Sequence, residues 1–120
     1  MPIPGSRSGA AHAGGYLPSY SARSDQGCLT FPQRCTKTLK KKPTEYLKQL
    51  FYDSIVFTPE GLRHLIAEVG ASQIVLGTDY PFPWTKTAVD HILTTPGLSD
   101  AERIAILGET AEKLLAIKPA

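Results

Sequence analysis

The sequence predicts an α/β fold built on a parallel sheet. Three observations point to it: a β-rich stretch from Tyr52 to Phe57, a helix opened by Thr58-Pro59-Glu60 and closed by Gly70, and a second apolar run, Gln73 to Gly77. Strand, helix and strand with short joints form the repeating unit of a parallel sheet, because parallel neighbours need a crossover and not a hairpin.

Residues 1–42 have no sustained apolar period. Gly5, Gly9, Gly14, Gly15 and Gly27, with Pro2, Pro4, Pro18 and Pro32, punctuate the segment too often for long elements. Residues 1–11 are expected to be disordered, having nothing to bury against the cost of ordering. From Pro43 the pattern changes. Thr44 to Phe51 places Tyr46, Leu47, Leu50 and Phe51 on one face of a short helix. Next, Thr58 caps a helix, Pro59 takes the first position where no amide is needed, and Glu60 sits near the positive dipole end. Leu62, Leu65, Ile66 and Val69 follow at i, i+3, i+4 and i+7 before Gly70. Gln73 to Gly77 reads as a short buried strand. Thr78 to Trp84 forms a stiff aromatic loop, and a helix carries Val89, Ile92 and Leu93. Ser99 and Glu102 make a capping box for a helix with Ile104 and Leu107, and a last helix holds Ala111, Leu114 and Leu115. A lone strand–helix–strand unit leaves its sheet poorly covered and its edges unpaired, so the pattern reads as part of something larger.

The chain has 120 residues, 42% hydrophobic and 20% charged, ordinary for a globular protein and about half the length of a (β/α)₈ barrel. Its longest aliphatic runs, such as Ile74-Val75-Leu76, are far short of a bilayer span, so no membrane partner is expected. The net charge of +2 hides a split. Residues 1–42 carry seven Lys/Arg against Asp25, and residues 43–120 carry six against ten acids. The basic run Lys40-Lys41-Lys42 is short and without interleaved aromatics, so nucleic acid is the weakest of the partner classes. No secretory h-region precedes Gly15. Cys28 and Cys35, with six residues between them, match neither a CxxC pair nor half a zinc finger, and are read as reduced thiols of a cytoplasmic protein.

Asp79 is the first candidate for chemistry. It follows a buried strand at its C-terminal end, where parallel α/β folds place reactive groups, and Gly77 permits close backbone approach. A carboxylate on so stiff a turn can serve a divalent metal, or it can simply cap the turn. His12, in Ala11-His12-Ala13-Gly14-Gly15, is either a general base or an exposed loop residue. Arg23 can bind a carboxylate through two hydrogen bonds or stand solvated in a loop. Asp53 begins an apolar strand and can orient something inside a barrel, or equally cap the turn after the 44–51 helix. His64 and His91 are read as surface or helix-flank residues.

Together these pieces resemble the amidohydrolase-related decarboxylases of the aminocarboxymuconate-semialdehyde type. His12-Ala13-Gly14-Gly15-Tyr16-Leu17-Pro18 with Arg23 resembles that family's histidine–glycine turn and following arginine. Tyr46-Leu47 through Phe51-Tyr52-Asp53-Ser54 resembles the segment before barrel strand 7. Leu76-Gly77-Thr78-Asp79-Tyr80-Pro81-Phe82-Pro83 resembles the strand-8 motif, and Gly108 to Leu115 resembles the terminal helix.

The resemblance spans about residues 11 to 118. It implies that residues 12–118 form the C-terminal portion of a metal-dependent (β/α)₈ barrel, with strands 7 and 8 and the terminal helices, in a family that pairs as homodimers. By position Asp79 matches the metal-binding aspartate, commonly of zinc. His12 matches the histidine that handles the proton at the metal-bound water or at the carbon losing CO₂. Arg23 matches the arginine that reaches the carboxylate of a small-molecule substrate in the neighbouring subunit. Ala13 replaces a glycine and Thr110 an asparagine, and the family's His-x-His pair and strand-5 histidine have no counterpart. The expected function is therefore part of a metal-dependent decarboxylase or hydrolase of carboxylated small molecules, inactive without the missing ligands. The alternative is an inactive remnant that binds a full-length homologue.

Overall fold

The computed structural model describes residues 7–83 and 86–117. Its centre is a three-stranded, all-parallel sheet in the order β1 (Gly9–Ala10), β2 (Phe51–Asp53) and β3 (Ile74–Val75). Gly9 pairs with Phe51 and Ala10 with Tyr52, while Tyr52 pairs with Ile74 and Asp53 with Val75. The helices are α1 (Tyr16–Ser19), α2 (Ser21–Thr30), α3 (Pro32–Cys35), α4 (Pro43–Leu47), α5 (Pro59–Val69), α6 (Ala88–Thr94), α7 (Asp100–Ile104) and α8 (Thr110–Leu115).

The β2–α5–β3 crossover forms as its sequence signals require. The Thr58 hydroxyl accepts the Gly61 amide at 3.1 Å, Pro59 opens α5, and Gly70 ends it at φ 89°. Leu62, Leu65 and Val69 are buried against the sheet with Tyr52 and Ile74, and Ala13, Leu47, Ile92, Leu98 and Ile106 complete the core. Each Leu, Ile or Val side chain among them contributes about 1.5–3 kcal/mol by leaving water. The Tyr52 ring lies in this core, with its hydroxyl donating to the Leu47 carbonyl at 3.0 Å. Burial raises the Tyr52 phenol above its ordinary value. A Cβ on Gly14, at φ 75°, would stand 2.7 Å from the Tyr52 ring, so the turn after β1 needs glycine there.

Several expectations are corrected. The strands are shorter than the apolar runs, because after Asp53 the Val56 amide turns back to the Ser54 carbonyl and β2 ends. Within the segment expected to be disordered, Gly9–Ala10 form a strand, and the Phe51 amide donates to the Ser8 carbonyl at 2.9 Å. The Arg7 guanidinium also reaches the carbonyls of Lys113 and Leu114 on α8. Residues 1–6 and Trp84 lie outside the described residues.

Residues 16–35, expected to lack long elements, hold the ten-residue α2. Its sequence has no apolar stripe, and side-chain bonds hold it in place. The Asp25 carboxylate accepts both the Thr44 hydroxyl, at 2.7 Å, and the Thr44 amide, at 3.0 Å. Ser21 donates to Glu68 on α5. The Thr44 hydroxyl and then its amide hold the Asp25 carboxyl below its ordinary value.

Cys28 and Cys35 form a disulfide and are not reduced thiols. The α2–α3 hairpin, turning at Phe31, sets their Cα atoms 5.6 Å apart, within disulfide reach. The capping box at α7 is present: Ser99 Oγ accepts the Glu102 amide and the Glu102 carboxylate accepts the Ser99 amide at 2.8 Å. The two C-terminal helices, expected to be separate, are joined by one π-helical segment, Ala105–Glu109. That wider turn directs Ile106 inward and leaves Ile104 on the surface. Of the apolar residues assigned to α6, Ile92 is buried while Val89 and Leu93 are about half exposed.

Candidate active site

The C-terminal ends of the three strands converge on one turn. His12–Gly14 makes a single 3₁₀ turn directly after β1, in which His12 and Ala13 both take φ 54°. Such left-handed geometry costs an L-residue about 1–2 kcal/mol and needs external support. Asp53, the last residue of β2, supplies it. One carboxylate oxygen accepts the His12 amide at 2.7 Å, and the other accepts the Ala13 amide at 2.8 Å and the Ile55 amide at 3.0 Å. Charge-assisted bonds of this kind are worth about 1.5–3 kcal/mol each, enough to hold both residues in the strained region. Asp53 thus fixes the His12–Ala13 turn across the sheet.

Asp79 reaches the same place from β3. Gly77 lies so near β2 that a Cβ there would stand 2.9 Å from the Cβ of Asp53, and its amide donates to the Ser54 hydroxyl at 3.2 Å. Two residues on, Asp79 takes φ 59° and its carbonyl accepts the Phe82 amide across the cis Tyr80–Pro81 bond. The turn points the Asp79 carboxylate at His12, with Oδ1 3.5 Å from Nε2. The Asp79 side chain is 22% exposed and that of His12 66%. Together with Ile55 and Phe57 they line an open cleft of about 300 Å³. The cleft therefore holds an acceptor carboxylate and a group able to carry a proton, against an apolar wall.

The other candidates lie apart. Arg23 is on α2, not in a loop; it is exposed and does not line this cleft. His64 is exposed on α5 as expected. His91 is not simply a surface residue. Its Nε2 is enclosed with no hydrogen-bond partner among the described residues, beside a cavity of about 280 Å³ lined also by Ser54, Gly77 and Thr87. An apolar-face periodicity places His91 on α6 but says nothing of a cavity between α6 and the strand ends, so the sequence carried no signal for it.

Among the described residues no group of three or more His, Cys, Asp and Glu side chains could hold a metal ion. Asp79 with His12 offers fewer donors than the three protein ligands a catalytic zinc ordinarily takes. The residues present do not make a metal site by themselves.

Residues 6–117 match the family profile described as amidohydrolase. The chain belongs to the amidohydrolase family. It is 36% identical over 108 residues to 2-amino-3-carboxymuconate-6-semialdehyde decarboxylase of Caenorhabditis elegans, an alignment covering 89% of this chain and 27% of that protein. To the protein of the same description from Dictyostelium discoideum it is 30% identical over 110 residues, 91% of this chain and 31% of that one. In three dimensions it is similar to the dihydroxybenzoic acid decarboxylase of Polaromonas sp. JS666, solved with bound manganese and the inhibitor 2-nitroresorcinol. The TM-score is 0.80 at 26% identity, over 95% of this chain and 35% of that one. The chain thus spans about a third of the length of the relatives it matches. No described helix is long and apolar enough to cross a membrane.

Proposed function

We propose that the chain forms the C-terminal portion of a metal-dependent decarboxylase of small carboxylated molecules, with β2 and β3 as strands 7 and 8 of a (β/α)₈ barrel and β1, by counting back, as strand 6. The observation that carries this reading is the facing of His12 and Asp79 across 3.5 Å at the C-terminal end of the sheet. Parallel barrels place their chemistry at that end. Decarboxylase in preference to hydrolase is favoured by the two curated relatives, both decarboxylases.

In this reading Asp79 would contribute one carboxylate to a divalent cation, manganese or zinc, with the remaining ligands supplied by the rest of the barrel; the ion would supply Lewis-acid polarisation of a substrate or water oxygen. His12 handles the proton. As the bond to the carboxylate breaks, its electron pair stays on the substrate carbon, CO₂ departs, and the imidazolium of His12 delivers the proton that replaces it. Asp53 acts through His12 by holding the histidine's backbone in its left-handed turn. Ile55 and Phe57 supply an apolar wall suited to a flat organic acid. Arg23, exposed and outside the cleft, is available to the substrate carboxylate in a second copy, which makes the active form a homodimer.

The test joins residues 7–117 to the first two thirds of a relative's barrel and measures CO₂ release from a panel of aromatic and semialdehyde carboxylates. Release that requires added Mn²⁺ or Zn²⁺ supports the reading. A folded chimera that binds the ion and releases no CO₂ from any carboxylate contradicts it.

A further inference from the structure

Away from the His12–Asp79 cleft, a cavity of about 390 Å³ opens between α2, α3 and the start of α4. Both cysteines, Cys28 and Cys35, line it, and both are half-buried, so the disulfide faces the cavity without being sealed in the core. Lys40, Lys41 and Lys42 line the same space. Two contacts tie this basic run to α4: the Lys40 amide donates to the Tyr46 hydroxyl at 3.0 Å, and the Lys41 ammonium lies 4.7 Å from the centre of the Tyr46 ring. Asp25, the acid in the lining, has both carboxylate oxygens engaged by Thr44. The lining therefore carries three lysines and one carboxylate, a positive excess beside a half-buried disulfide.

We infer that Cys28–Cys35 is an exchange site for a small thiol that carries carboxylates. The volume falls within the range of small-molecule sites, and the lysines attract the carboxylates of the incoming thiol. The same cations favour the thiolate form of both the attacking and the leaving sulfur, which speeds exchange. In the first step the thiolate attacks one sulfur of the pair. A mixed disulfide forms, the Cys28–Cys35 bond breaks, and the second cysteine leaves with the electron pair as a thiolate. A second equivalent of thiol then attacks the mixed disulfide, releases the oxidised thiol dimer and leaves the other cysteine as thiolate. The two electrons that reduce the protein disulfide come from the two thiols. Reduction unties α3 from α2, the helix that bears Arg23.

The experiment uses the full 120-residue chain with its disulfide intact and three thiols: reduced glutathione, which is anionic, neutral 2-mercaptoethanol, and cationic cysteamine. Exchange is followed by intact mass after alkylation. Each rate is expressed per thiolate and divided by the same thiol's rate on a small neutral disulfide. At low salt the normalised rate of glutathione should exceed that of cysteamine by about tenfold, the lower end of electrostatic steering into a charged cleft. The gap should close near 1 M salt, where screening acts over about 3 Å. Lys40→Gln with Lys42→Gln should narrow it as well. Equal normalised rates for the three thiols, or a gap indifferent to salt, would overturn the proposal using the unaltered chain alone.

Discussion

Asp53 holds His12 by the backbone, accepting its amide at 2.7 Å across the boundary between two neighbouring strands. The side chain of His12 is thereby left free for Asp79, and the cost of its left-handed backbone is met by a residue that does not touch the cleft's open side.

Replacing that carboxylate tests the relationship. Asp53→Asn keeps the shape but sets an NH₂ group against one of the amides that now donate to the carboxylate. The loss should be about 2–3 kcal/mol of stability, the worth of one charge-assisted bond and an unmatched donor. Denaturant midpoints measure the stability, and hydrogen exchange at His12 and Ala13 should quicken at the same time. Unchanged exchange at those two amides would mean that the turn holds itself.

Ala13 is a different case, because one small gain opposes two small losses. Its φ of 54° costs about 1–2 kcal/mol that glycine would not bear, while Ala13→Gly gives up a buried methyl worth about 0.8 kcal/mol and loosens the unfolded chain. The expected net change is within about 0.5 kcal/mol of zero. Ala13→Val, whose branched side chain resists the left-handed region, should destabilise by more than 1 kcal/mol. Thermal melts of both variants separate these outcomes.

Tyr52 sets an alkaline limit. Burial raises its phenol above 10.0, so the folded protein keeps the proton more tightly than the unfolded chain does. The stability it contributes is complete below pH 10 and declines as the pH climbs from there through the raised value. Tyr52→Phe should flatten that decline. At neutral pH it should cost about 1 kcal/mol, because the Leu47 carbonyl loses its donor. Urea midpoints between pH 8 and 11 for the two proteins measure this directly. A decline of the same size in Tyr52→Phe would assign it to another group.

Much of this arrangement is readable from residues whose chemistry is local. Thr58, Pro59 and Gly70 bound α5, and Ser99 with Glu102 opens α7, because each signal acts on amides within four residues. Gly77 and Asp79 are legible for a related reason, as a close approach followed by a stiff turn. What escapes the sequence is decided at long range. Gly9–Ala10 carry no alternation to mark a strand and become one by pairing with Phe51–Tyr52. The polar helix α2 depends on Thr44 and Glu68, and the Cys28–Cys35 bond on the hairpin at Phe31. The spacing of Asp53 from His12, 41 residues, hides their contact completely.

The division of labour between His12 and Asp79 is the centre of this account. In the complete barrel, Asp79→Ala should lose bound metal together with turnover. His12→Ala should keep its metal while turnover falls about 10²–10⁴-fold, the range for a lost proton-transfer group. The decisive measurement is metal content by elemental analysis, taken on the same samples as the rate of CO₂ release. Metal retained in His12→Ala and lost in Asp79→Ala is the predicted result. Metal stripped by His12→Ala, or full metal and activity in Asp79→Ala, would contradict it.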